Sequence, residues 1–174
     1  MKQSIVVLQN FVHEFFLELL LLYLQHTIFS HELFAIPENR KVAILSNSVI
    51  WFEDDGYLYS RFKDEPFVQA TREQMEDDMR IFLQFVGDKK VLIIAESHPR
   101  AESPAKNDRD FISEKLNQVT LAMAIMTPSA ISRMVVNLFF LFKPPAFPMK
   151  MFQSVSDAKK WLQGVKSGPR LTVL

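Results

Sequence analysis

Cysteine is missing from all 174 residues, which removes disulfides, thiolate metal sites and a cysteine nucleophile together. Glycine is nearly as scarce. The four glycines are Gly56, Gly87, Gly164 and Gly168, and no glycine-rich phosphate loop can be assembled from them. Net charge is also lacking, because 20 Lys and Arg stand against 20 Asp and Glu. No global field exists to hold a nucleic-acid backbone or an anionic membrane. The four histidines, His13, His26, His31 and His98, are never four apart, so helical ligand pairs are absent and no metal or other cofactor is assigned. Ser97 beside His98 is no nucleophile and base, since adjacent residues rarely reach attack geometry and no Gly-x-Ser-x-Gly elbow exists. The catalytic, cofactor-binding and metal-ligating sets are therefore empty.

What is present points to one α/β domain, and the chain is long enough for one sizeable core. Val119 to Phe152 organises the rest. Val119 to Met126 is apolar apart from Thr120 and reads as a strand buried on both faces. Thr127 caps the next helix, Pro128 takes its first position, and Lys143-Pro144-Pro145 ends it near Phe142. At about 100° per residue, Ile131, Met134, Val135, Leu138 and Phe142 form one face, expected to meet the sheet. Ser132, Arg133, Asn137 and Lys143 occupy the other, with Val136 and Phe140 between them as apolar side chains that an isolated domain would expose and that the helix of residues 3 to 30, from the same chain or a second copy, is expected to cover. Arg133, Val136, Asn137 and Phe140 are thus the candidate interaction surface.

Upstream, residues 3 to 30 are rich in Leu and Phe, with Asn10, Glu14, Glu18 and Gln25 as a narrow polar stripe at helical spacing. A helix is expected. Its densest apolar run, Phe15 to Leu24, is interrupted by Glu18 and falls short of the roughly 20 residues needed to cross a bilayer. Acidic residues also sit inside what would be the hydrophobic region of a signal peptide. Val42 to Leu45 reads as a short edge strand, and Val49 to Phe52 with Tyr57 to Phe62 as a hairpin around Asp54-Asp55-Gly56. Thr71 and Gln74 make a capping box for a helix carrying Met75, Met79, Phe82 and Val86 inward, closed by Gly87. Glu76, Asp77 and Asp78 on it read as a solvated face. Val91 to Ala95 is a short buried strand. Glu96 to Asn107 is the longest polar loop, and Asn107 or Asp108 caps the helix after it. Ser154 or Ser156 caps a last helix with Ala158, Trp161, Leu162 and Val165 inward. The aromatics lie in apolar periodic patterns, which argues for core rather than base stacking.

This order of elements carries a resemblance. VIWFEDDGYLY at 49 to 59, VVNLFFLFKPPAFP at 135 to 148 and SDAKKWL at 156 to 162 resemble a small bacterial STAS-like family, related in fold to sulfate-transporter and anti-sigma-factor-antagonist domains. The resemblance implies a single α/β domain, a mixed, mainly parallel sheet of four to five strands with an N-terminal hairpin and about four helices. The resemblance runs from about Ser46 to Val165, and with the linker at Pro37 to Arg40 and the tail from Lys166 the expected division is 1–40 (apolar helical extension and linker), 41–165 (domain) and 166–174 (tail). In antagonist members a serine at the start of the helix after the third strand, usually within Asp-Ser-Ser, accepts a phosphate. That motif is absent here, and Ser97 and Ser103 are the nearest candidates for phosphorylation.

The expected function is a non-catalytic regulatory or protein-interaction module, with a protein partner or a second copy of the chain. The alternative is binding of a small apolar ligand or lipid in a cavity lined by Met and Phe of the central helix. The expected setting is cytoplasmic, with peripheral membrane contact through the N-terminal helix, and with no nucleic acid.

Overall fold

In the computed structural model the chain divides between His31 and Glu32, and the described residues, 35–63, 66–98, 105–127, 130–142 and 145–167, all lie in the second unit. The expectations for residues 3 to 30, and the cap and breaker at Pro128, Lys143 and Pro144, lie outside them.

Six strands form one sheet in the order β1-β2-β3-β4-β5-β6. They are β1 (Val42–Ile44), β2 (Ser48–Phe52), β3 (Leu58–Phe62), β4 (Val91–Glu96), β5 (Thr120–Met126) and β6 (Met149–Phe152). The first two pairings are antiparallel and the last three parallel, so the fold is the mixed, mainly parallel α/β class, with six strands rather than four or five. Among the described residues four helices complete it: α1 (Arg72–Val86), α2 (Lys106–Val119), α3 (Ala130–Phe142) and α4 (Val155–Ser167).

Local chemistry sets the boundaries. Gly56 turns the β2–β3 hairpin at φ 82°, a conformation in which a Cβ is penalised. Thr71 and Gln74 make both bonds of the capping box, and the Gly87 N–H donates to the Leu83 carbonyl to close α1. One capping expectation is corrected. Helix α2 begins after Ala105, with no side-chain cap, so Asn107 and Asp108 already lie within it and Lys106 to Asn107 are not loop. Thr127 is buried and its N–H donates to Phe152 O, continuing the β5–β6 ladder, while the helix start that its hydroxyl is expected to cap falls outside the described residues.

The sheet buries both faces, unequally. One face carries Trp51, Tyr59, Leu92, Ile94, Ala122, Ala124, Met126 and Phe152 beneath Ala158 and Leu162 of α4. The other packs Ile50, Leu58, Val91 and Ile93 against Phe82 and Val86 of α1 and Val119 of α2. Along β5 the alternation is sharp: Ala122, Ala124 and Met126 are fully buried, while Leu121 is 41% exposed and Met123 and Ile125 are half-buried. The expectation of a strand buried on both faces is therefore corrected. Helix α4 closes one side of β5, and the other is only partly covered, because few contacts join α2 to it.

Candidate functional site

The parallel strands end together, and open α/β sheets hold ligands outside their carboxyl ends. Here the row runs from Arg61 and Phe62 through Glu96 and Met126 to Phe152, with Glu96 paired to Met126 and Met126 to Phe152. The strand alternation places Arg61, which is buried, and Glu96 on the α4 side of the sheet. Glu96 Oε2 accepts from the Phe62 N–H at 3.2 Å. Ser97 does not enter a free loop: its N–H donates to Met126 O at 2.9 Å and the residue is half-buried. His98 stacks on Phe67 with centroids 4.6 Å apart and tilts against Phe62 at 4.9 Å. An imidazole clustered with two phenyl rings that also meet each other edge-on is used as packing surface. Ser103 lies outside the described residues.

Beside His98 is a recess of about 20 Å³, lined by Ser46, Asn47, Lys63 and the same aromatic rings. That volume suits about one water, whereas ligand sites run to about 300–1,000 Å³. Asp78, expected on a solvated face, instead accepts from the Ser46 N–H and Oγ at 2.8 and 3.0 Å and ties α1 to the β1–β2 turn. Glu76 and Asp77 pair with Arg72 and Arg80 along the helix surface. Among the described residues no group of three or more His, Asp or Glu side chains could hold a metal ion, and no helix is long and apolar enough to cross a membrane.

Helix α3 holds the larger surprise. Met134 is 65% and Leu138 52% exposed, whereas Arg133, Val136, Asn137 and Phe140 are half-buried. Met134 and Leu138, expected to meet the sheet, are therefore turned outward. The side chains of Ile131, Ser132, Val135 and Phe142 lie outside the described residues. The reason is the edge of the sheet. Along β6 and the residue before it, Pro148 O and Phe152 O accept from the Met123 and Thr127 N–H groups, so the alternation turns the main-chain groups of Met151 outward, where among the described residues no strand follows. The Asn137 carboxamide takes both: its Oδ1 accepts from the Met151 N–H at 2.7 Å, and its Nδ2 donates to Met151 O at 3.0 Å. One side chain thus imitates a neighbouring strand at the position where sheets otherwise recruit other chains. The registration it imposes brings Val136 and Phe140 inward and leaves Met134 and Leu138 outside. Met134 and Leu138 are thus turned outward, Asn137 is held against β6, and Arg133, Val136 and Phe140 are half-buried.

A charged hub lies at the other end of the sheet, on the β2–β3 turn. Arg40 donates to both oxygens of Asp54 at 2.9 and 2.6 Å and to Phe52 O at 3.2 Å, and it pairs with Glu53 at 3.2 Å. Glu53 also accepts from Trp51 Nε1 at 2.9 Å. Asp55 pairs with Lys159 of α4 at 2.5 Å. Hydrogen bonding to Arg40 holds the Asp54 carboxyl below its ordinary 3.8, and bonding to Asp55 raises the Lys159 ammonium. Burial pushes the Tyr59 phenol up, opposed by Lys159.

Comparison with known proteins adds the following. Residues 50–166, more than half of the chain, match the family described as a domain of unknown function, DUF7793. No curated protein matches significantly. A crystal structure of an uncharacterised protein of the DUF3478 family, with a SpoIIAA-like fold, from Shewanella loihica PV-4 aligns at 15% identity and a TM-score of 0.47, covering 74% of this chain and 99% of that one.

Proposed function

The chain belongs to the DUF7793 family, and from that premise we propose that it is a non-catalytic regulatory or protein-interaction module whose contact surface is the outer face of α3. One observation carries the reading: Met134 and Leu138, four residues apart on one helical face, are both more than half exposed. Paired exposed apolar side chains on a helix are the starting point of an apolar contact. The segment 130 to 142 holds a single charge, Arg133, which is half-buried. The resemblance of residues 49–59, 135–148 and 156–162 to STAS-like domains supports the regulatory half of the proposal, with Ser97 or Ser103 as the phosphorylated group. A protein partner or a second copy, in the cytoplasm, is the proposed occupant.

The test replaces Met134 and Leu138 with Asp. Sedimentation velocity across a concentration series reads self-association, and mixing with fractionated bacterial lysate before gel filtration reads hetero-association. The parent is expected to run in a complex that the double variant loses, with the fold retained by circular dichroism. If parent and variant both run as free monomers under each condition, the reading fails.

A further inference from the structure

The β2–β3 turn divides its three adjacent carboxylates: Glu53 and Asp54 hold Arg40, and Asp55 holds Lys159 of α4. Arg40 belongs to the connector that runs from Ala35 to Lys41 into β1. Ile36 of the same connector packs against the buried cluster that contains Trp51 and Tyr59, whose rings stack at 5.8 Å. At its far end Arg40 grips Asp54 with two bonds, Glu53 with a third and Phe52 O with a fourth. Glu53 joins these facts, because one of its oxygens takes Arg40 and the other takes the indole N–H of Trp51. Trp51 is fully buried, so its N–H reports directly on whether this end of the connector is in place.

We infer that residues 35–41 are a charge-latched strap over the Trp51 end of the sheet, released by ionic strength while the rest of the fold stays closed. The latch is at the surface, with the Asp54 side chain 90% exposed, so salt screens it effectively. Ion pairs in that setting hold weakly, and a weak latch opens reversibly without a competing ligand. Its release leaves α4 attached, because Lys159 is held by Asp55, an acid that Arg40 does not bond. Lifting the strap presents the aromatic end of the core, Trp51 with Tyr59, to the surroundings.

The experiment reads the Trp51 indole N–H by NMR hydrogen exchange in full-length protein carrying Trp161→Phe, which leaves Trp51 as the single tryptophan. Arg40→Gln is expected to speed this exchange about two- to fivefold, as the loss of exposed ion pairs predicts. Raising salt from about 0.05 to about 0.5 M should do the same to the Trp161→Phe protein and add little once Arg40 is replaced. Asp55→Asn should free α4 and leave the indole rate unchanged. Exchange that is indifferent to both salt and Arg40→Gln overturns the strap. So does an equal acceleration by Asp55→Asn, which would make the turn a general charge centre with no separate latch.

Discussion

Replacing Asn137 by Leu removes the seal on the β6 edge while keeping side-chain size. Two hydrogen bonds, at 2.7 and 3.0 Å, disappear, and the Met151 N–H and C=O lose their partners in a half-buried position. A net hydrogen bond contributes about 0.5–1.5 kcal/mol, and water reaching the edge recovers part of the loss. The expected cost is therefore about 2 kcal/mol. For a chain of this size that lowers the melting temperature by about 4–8 °C, and in urea it moves the midpoint with the slope unchanged. Asn137→Asp separates the two bonds. It keeps an acceptor for the Met151 N–H but sets a second acceptor against the Met151 carbonyl, so at neutral pH it should cost at least as much as Leu. Below about pH 4 the carboxyl gains a proton, can donate again, and its deficit relative to the parent should shrink. Unfolding followed by circular dichroism between pH 7 and 3.5 measures both. If both variants stay within about 0.5 kcal/mol of the parent at pH 7, the carboxamide does not hold the edge and the account of the orientation of α3 collapses.

Further expectations follow from other parts of the fold. Leu162→Ala, at a side chain with no exposure, should cost about 2–5 kcal/mol, while Leu138→Ala should stay within about 0.5 kcal/mol; equal losses in urea titration would place Leu138 in the core. Thr71→Ala breaks the capping box and should cost about 1 kcal/mol, read as a lower midpoint with faster amide exchange in the first turn of α1. Asp54 has a folded pKa below its ordinary 3.8, so its contribution is present above that value and is lost as pH falls through the lower one. Asp54→Asn should flatten that part of the acid limb of the stability curve, and an unchanged limb between pH 4 and 2 would remove Arg40 as its cause.

Much of the fold is legible locally because the signals are local. The Asp-Gly turn, the Thr71–Gln74 box and the glycine after α1 each depend on residues within a few positions of one another, and each sits where it was expected. Ser154 likewise caps α4, accepting from the Asp157 N–H. The failures are tertiary. A helical wheel weighs apolarity alone, and by that measure Met134 and Leu138 belong inside. It cannot see that β6 lies at the sheet edge with main-chain groups that need a partner, and Asn137 satisfies them. Asp78 was misread in the same way, since its partner Ser46 is 32 residues away. Arg61 and Glu96 carry a signal of their own, as charged residues toward the ends of apolar strand patterns.

The distance in sequence between Asn137 and Met151 gives the edge seal an order in time. The carboxamide lies 14 residues upstream of the main chain it closes, so during synthesis, which proceeds from the N-terminus at about 5–20 residues per second, the lid leaves the ribosome before the strand. An unsealed last strand is a hazard chiefly while neighbouring nascent chains crowd it. Here the chain makes the stopper first and the opening second.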